Sequence, residues 1–586
     1  MRHAWDILEE YRGTLFEGEW PSICHMFLIT LRRYPERPAF TVIEGNAKHS
    51  LTYAQIARRI GGLAAFLHSR GIVKGDRVIL NGKNSPAWAM SYLGIIFSGA
   101  IVVPLDNQMG SDRVDALSAF SQAKGIFADR DVLDRLEEGS WLATQDLIVS
   151  LDGAGDDTYR RFASIKESDV PLEELELPSG EDIAAILYTS GTTGNEKGVV
   201  LTHANFTSDV YQAGDPQFLS ITEHDVFYAL LPLHHSYTMT AVFLESLMHG
   251  CDLLFGQGIV VSRVLNEMRM GNVTLFLAIP LLYNKLLAGL MKKVRERGIA
   301  AYALVRTLMW LNGVLRKTFK VNPGRRWFHQ LLDGIGMVDN KVCICGGGPL
   351  SPKTFQQYQQ LGLDFIQGYG LTETSPIITL NPIDAYIETS VGKILPRTEM
   401  KILDPDGRGV GEIAVRGPMV MQGYYKNQEA TDEVLGKDGW LRTGDAGYID
   451  ANNYVYLTGR KKSLIVTEGG KNVFPEEIED LFQLYDEIDQ ICIMGYLSDK
   501  KMKTEAIRAI IHPTDKFVEE MTKKHPEEAE RAGKILTHMQ EIVDKVNKEL
   551  LPYKRINRLT VADEPLEMTS TKKIKRHVVA ELYKDR

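Results

Sequence analysis

Apolar residues recur at Ile56, Ile60, Leu63 and Leu67, the spacing of one buried helical face, directly after Thr52-Tyr53-Ala54-Gln55. Thr52 and Gln55 predict a capping box there, each side chain satisfying a free amide at the helix start. Short apolar runs at 77–80, 184–188, 199–201 and 342–345 predict strands. Their alternation with helical patterns over several hundred residues predicts α/β architecture with substantial parallel sheet. Residues 85–105 carry no charge and reach the length of a membrane span. Gly94, Gly99 and Pro104 interrupt that stretch and Ile101-Val102-Val103 is β-branched, so it predicts a buried helix followed by a core strand, with no membrane span.

Past Gly459 the pattern changes. The chain becomes richer in Lys and Glu, with a long helical pattern at 527–551 and strand-like runs at 490–494 and 506–511, fitting a small α+β domain. A polar, charged turn at 460–463 sits between two apolar runs and predicts a boundary that divides the chain into 1–461 and 462–586. A second departure lies at about 285–326, where eleven Lys or Arg residues face one acid, Glu296, and alternate with Leu286, Leu287, Leu290, Tyr302, Leu304, Leu308, Trp310, Leu311 and Leu315. This basic amphipathic insertion reads equally as a helical surface with a solvated cationic face or as a surface touching anionic lipid headgroups.

Composition narrows the function classes. At 586 residues more than one folding unit is expected, and 44% hydrophobic with 24% charged residues is ordinary for a globular protein. The formal charge of −9 argues against a nucleic-acid binder, whose phosphate-contacting surface is usually basic, so small molecules are the expected partners. Five scattered cysteines without a CxxC pair predict reduced core residues of a cytoplasmic protein; Cys343 and Cys345, on one face of a strand, are too few for a zinc site. The acidic start, with Asp6, Glu9 and Glu10, lacks the apolar core of a signal peptide.

The strongest chemical signal is Tyr188-Thr189-Ser190-Gly191-Thr192-Thr193-Gly194-Asn195-Glu196-Lys197-Gly198, directly after a predicted strand. Its glycines let backbone amides close on an anion while hydroxyls and Lys197 add donors, which is how a loop cradles phosphates. It lacks the Gly-Lys-Ser/Thr of a Walker loop.

This loop resembles the phosphate-binding motif of the adenylate-forming superfamily, which includes acyl-CoA synthetases, nonribosomal peptide adenylation domains and firefly-type luciferases. Further blocks follow in the family's order. Gly346-Gly347-Gly348-Pro349-Leu350 resembles the segment lining the adenine and acyl sites. Gly368-Tyr369-Gly370-Leu371-Thr372-Glu373 resembles the central nucleotide motif, in which Tyr369 offers a flat face to adenine, Thr372 a hydroxyl to the α-phosphate and Glu373 a hard oxygen to Mg²⁺. Asp445, in Gly439-Trp440-Leu441-Arg442-Thr443-Gly444-Asp445, matches the aspartate that accepts both ribose hydroxyls, and Arg460 is similar to the arginine that reaches the same ribose. Lys462 occupies the hinge position. Gly469-Gly470-Lys471 looks like the loop approached by the pantetheine arm of coenzyme A, and Lys573 aligns with the lysine catalytic for adenylation. His235, in Leu231-Pro232-Leu233-His234-His235, falls where the family has a histidine shaping or gating the acyl pocket. Glu196 stands where proline is usual, which puts a negative charge near bound phosphate, and Lys572 stands where many members have glycine.

The resemblance is closest to the long-chain fatty acyl-CoA synthetases. It implies a large N-terminal domain of several sheet and helix subdomains plus a small mobile α+β C-terminal domain. It also implies conversion of a fatty acid to acyl-AMP with ATP and Mg²⁺, then transfer to coenzyme A. The rival readings are transfer to a carrier-protein phosphopantetheine and a non-catalytic nucleotide- or lipid-binding homologue. A cytoplasmic protein with peripheral contact to the inner face of a membrane is the expected setting.

Overall fold

The computed structural model describes residues 3–152, 159–189, 196–258, 260–467, 471–483, 485–499, 504–568 and 574–584. Among these the chain forms an α/β fold: two large mixed sheets and a small antiparallel sheet precede a separate α+β unit at the C-terminal end.

The first large sheet orders its strands as Gly423–Tyr424, Lys197–Thr202, Ile183–Thr189, Ile101–Leu105, Arg77–Asn81, Gly125–Ala128, Leu147–Ser150 and Arg160–Arg161. From Ile183–Thr189 through Arg160–Arg161 every pairing is parallel. The second is parallel from Asp364–Gly370 through Val342–Cys345, Leu275–Ala278, Val226–Ala229 and Asp252–Phe255 to Pro38–Glu44, with antiparallel strands at both edges. The four runs expected as strands from the sequence all lie within these strands, and the parallel content is as expected.

The central strands of the two large sheets are buried on both faces, so alternate residues of one strand enter different cores. Val78 and Leu80 join the cluster shared by both large sheets while Ile79 joins another; Ile344 and the pair Cys343 and Cys345 divide the same way. All five cysteines are buried and unbridged, and burial raises every thiol pKa, to about 12 for Cys343 and Cys492.

The uncharged stretch folds as the helix Pro86–Phe97 and the wholly buried strand Ile101–Leu105. Ser85 caps the helix by accepting from the Trp88 amide. Every residue from Trp88 to Phe97 is buried against protein, including Trp88 and Tyr92, each large side chain contributing roughly 1.5–3 kcal/mol relative to exposure. No helix among the described residues is long and apolar enough to cross a membrane. The capping box at Thr52 and Gln55 is present, with Ile56, Ile60, Leu63 and Leu67 buried.

The small antiparallel sheet ends at Val455–Arg460, and a 3-10 turn, Lys461–Ser463, leads into Ile465–Thr467 of the C-terminal sheet. There the long strands Ile488–Asp499 and Thr504–Pro513 pair antiparallel and pack against the helix Glu528–Glu549 through Met539, Ile542, Val543 and Val546. Gln483 ties this unit to the rest: it accepts from the Ser351 amide at 3.2 Å and from Asn284 at 3.3 Å, and donates to the Pro349 carbonyl at 3.3 Å.

Candidate active site

Parallel strands end together, and the residues just past their carboxyl ends converge on one crevice. Leu105 and Asp106, Thr189, Leu230 to Pro232, His234 to Tyr237, Ile279, Gly346 and Gly347, and Gly370 to Glu373 all lie at or just past strand ends this way and line a single cavity of about 1580 Å³. Several lining positions favour glycine. A Cβ on Gly370 would stand 1.7 Å from the Pro376 carbonyl oxygen, and Gly347 has φ +79.

Thr189 and Lys197, the described ends of the phosphate-loop motif, face each other in an antiparallel ladder and both line the cavity. Ser190, Gly191, Thr192, Thr193 and Gly194 lie outside the described residues, as do Gly469, Gly470 and Lys573. The described neighbours of Lys573, Met568 and Lys575, line the same cavity. Glu196 does not stand alone there: Arg113 pairs with it at 2.8 Å, offsetting its charge.

Glu373 lines the cavity and accepts a 2.8 Å hydrogen bond from the Tyr424 hydroxyl, whose ring lies under Lys197 at 4.7 Å. Burial, reinforced by Glu373, raises the Tyr424 pKa, so its proton stays on to donate. Thr372 shares a 3.1 Å hydrogen bond with Ser236. Carboxylate and hydroxyl oxygens side by side are the donors a hard cation such as Mg²⁺ prefers.

Tyr369 donates to Asp445 at 2.7 Å, and Arg460 approaches the other carboxylate oxygen at 3.3 Å. Burial raises the Tyr369 pKa well above its ordinary value, with Asp445 adding to the effect. Beyond Arg460, Glu412 binds Arg442 at 2.5 Å and Lys461 at 3.0 Å, anchoring the chain immediately before Lys462, which also lines the cavity.

His235 reaches the cavity beside His234, their ring centroids 4.1 Å apart. His234 is buried, which holds its pKa well below the usual value, so the ring is neutral; its Nε2 lies 3.8 Å from Asp106. Asp106, His234 and His235 bring one ligand atom each within 4.8 Å of one another. Asn84 holds the preceding turn by donating to the Ala229 and Leu231 carbonyls and accepting from the Leu233 amide. Away from these polar groups the wall is apolar, with Leu219, Ile221, Phe227, Leu275 and Leu277.

Not every expected residue gathers here. Gly348, Asp445 and Lys471 are absent from the cavity wall: Gly348 lies just past the lining residues Gly346 and Gly347, Asp445 is buried behind the lining residues Gly444, Tyr369 and Arg460, and Lys471 is exposed on the strand Lys471–Val473 of the C-terminal sheet. Conversely, Tyr424, Arg113 and Asn84 hold lining residues through contacts that the motifs do not signal.

Comparison with known proteins fits this geometry. The chain is 26% identical to a long-chain-fatty-acid–CoA ligase of Mycobacterium bovis, over 97% of this chain and 96% of the relative. It is 25% identical to a chloroplastic long-chain-fatty-acid–[acyl-carrier-protein] ligase of Arabidopsis thaliana, over 98% of this chain and 87% of that one. The ATP-bound crystal structure of MatB from Rhodopseudomonas palustris matches with a TM-score of 0.73 at 23% identity, covering 96% of this chain and 99% of that chain, which shows a shared fold. The family model for AMP-binding enzymes matches residues 27–425, and the chain belongs to the AMP-binding enzyme family.

Proposed function

We propose that this protein is an adenylate-forming acyl ligase that activates a fatty acid with ATP and passes the acyl group to coenzyme A. The observation that carries this reading is the single cavity in which Lys197, Tyr369, Thr372 and Glu373 share a wall with Leu219, Ile221, Phe227 and Leu275. Ordinary ligand pockets hold roughly 300–1,000 Å³; one of 1580 Å³ has room for a nucleotide and an acyl chain together.

In the first half-reaction a carboxylate oxygen of the acid attacks the α-phosphorus of ATP, and the bond to pyrophosphate breaks. Thr189, Ser190, Thr192, Thr193 and Lys197 hold the departing phosphates. Tyr369 orients the base, and Asp445 with Arg460 the ribose. Glu373 is the residue to hold Mg²⁺, which when bound offsets phosphate charge. Lys573 bridges carboxylate and phosphate as negative charge moves between them, a role worth several kcal/mol in a dry site. In the second half-reaction the coenzyme A thiol loses its proton, its sulfur attacks the acyl carbon, and AMP leaves. Coenzyme A is thus a substrate and not a resident cofactor. Residues 462–586 act as a lid domain that turns about Lys462 between the halves, withdrawing Lys573 and presenting the loop at Gly469, Gly470 and Lys471.

The similarity over 98% of this chain to a relative named for a carrier-protein acceptor keeps that acceptor as the second reading. The test is AMP release by purified protein with Mg-ATP, acids from C2 to C20, and coenzyme A or acyl carrier protein. Release requiring a long acid and coenzyme A is expected; dependence on carrier protein alone would change the acceptor, and no release with any acid would overturn the enzyme reading. Lys573→Ala should abolish acyl-adenylate formation while sparing thioester formation from supplied acyl-adenylate.

A further inference from the structure

The basic insertion expected at 285–326 folds as part of a helical hairpin that begins earlier, at Pro280. The helix Pro280–Glu296 turns at Gly298 into the helix Ile299–Phe319, 21 residues and about 30 Å long. The second helix is apolar on two opposite sides. Met309 and Asn312 are buried, and Val305 and Leu308 pack on the core beneath. The outer face carries Leu304 (60% exposed), Trp310 (62%), Leu311 (37%) and Val314 (37%), continued at the helix end by Phe319 (66%) and past it by Val321 (55%). Leu304 and Leu311 are two turns apart, and Trp310 and Val314 one turn, so these side chains form one stripe. A surface helix of a globular protein ordinarily turns its polar side outward.

Cations border the stripe at both ends. Lys293, Arg297, Lys317, Lys320 and Arg326 are exposed and have no carboxylate partner within salt-bridge distance among the described residues. Arg316 and Arg325 instead turn inward, to Asp364 and to the Gly362 and Lys341 carbonyls. A strongly cationic segment in a chain of net charge −9 is therefore concentrated around a helix that shows solvent a row of Leu, Trp, Val and Phe. Apolar centre, aromatic side chains and flanking Lys and Arg together make the geometry of a helix lying in a bilayer interface.

We propose that the outer face of the Ile299–Phe319 helix docks this protein on anionic lipid bilayers. The same hairpin reaches the cavity, since Leu281, Leu282 and Lys285 of its first helix line the wall. Docking therefore places that wall at the membrane, where a fatty acid partitions; this delivery role rests on the acyl-ligase reading, whereas docking stands on the surface alone.

The test is flotation of the full-length protein with vesicles of phosphatidylcholine alone or of phosphatidylcholine with phosphatidylglycerol, without ATP or acid. Binding at least tenfold stronger to the anionic vesicles, and reduced at least tenfold by 0.5 M salt (about three times the physiological ionic strength), is expected. Leu304→Ser with Trp310→Ser and Leu311→Ser, and separately Lys317→Glu with Lys320→Glu, should each reduce binding about tenfold or more with unchanged melting temperature. Binding that both variants retain, or no preference for anionic vesicles, overturns the proposal. So does loss of self-association by the serine variant without any vesicle binding, which would assign the stripe to a second copy of the chain. Absence of AMP release with every acid would sink the ligase reading and leave the flotation result untouched.

Discussion

The Tyr369 hydroxyl donates to one oxygen of Asp445 at 2.7 Å while Arg460 stands 3.3 Å from the other, so both sides of this carboxylate, the proposed ribose acceptor, are held in place. A hydrogen bond to a charged group contributes roughly 1.5–3 kcal/mol, or about ten- to a hundredfold in affinity. Asp445→Ala should therefore raise KM for ATP at least tenfold in the AMP-release assay. Tyr369→Phe, which keeps the ring and loses only the positioning bond, should raise it about threefold. An unchanged KM in Asp445→Ala would remove Asp445 from the nucleotide site.

Tyr424 holds Glu373 through its hydroxyl and Lys197 through its ring. Tyr424→Phe should raise the Mg²⁺ concentration for half-maximal activity about three- to tenfold and leave the ATP dependence at saturating Mg²⁺ nearly unchanged. Tyr424→Ala should impair both, because the lysine then loses its platform. Identical Mg²⁺ titrations for the wild type and Tyr424→Phe would dismiss the positioning role.

Arg113 and Glu196 form a partly exposed pair, worth about 0–1 kcal/mol to stability. Its effect should fall on the nucleotide. Arg113→Ala leaves the Glu196 charge on the cavity wall and should raise KM for ATP about three- to tenfold with little change in melting temperature. Adding Glu196→Ala should reverse most of that rise; a double variant as weak as the single one would show that Arg113 acts by another route.

Asp480 sits in the C-terminal unit, where burial and then Glu479 and Glu476 raise its pKa to about 7. Its folded value thus exceeds its unfolded one, near 3.8, and the native state holds the extra proton between them. The destabilisation from burying the charge is absent below about pH 4, grows through the interval, and is complete above about pH 7. Asp480→Asn should match the wild type at pH 4 and melt about 2–4 °C higher at pH 8, for a gain of about 1 kcal/mol. An equal difference at both pH values would remove Asp480 as the titrating group.

Local patterns were readable in proportion to how local their causes are. The box at Thr52 and Gln55, the helix after Ser85 and the strand of Cys343 and Cys345 arise from short-range hydrogen bonds and from alternating burial, which the order of residues encodes directly. The motifs carrying Thr189, Lys197, Gly347, Tyr369, Thr372, Glu373, Asp445 and Arg460 are likewise contiguous strings. What they did not reveal is Tyr424, 51 positions from the Glu373 it holds, or Arg113, 83 positions from Glu196. Neither residue belongs to a motif, and each becomes a partner only because a strand or helix carries it to the crevice.

The 285–326 segment shows the same division. Its cations and alternating apolar residues are evident in the order of the chain, but both a buried and an exposed stripe are apolar, and periodicity does not distinguish them. Packing of Met309 and Asn312 against the core turned Leu304, Trp310 and Leu311 outward. By itself the sequence determined the α/β class, the family and the chemical kinds of group available, because these follow from local pattern and contiguous motif. The tertiary structure decided which of those groups meet, which charges are offset and which apolar face is left to solvent, because distance between side chains is set by how the strands and helices pack.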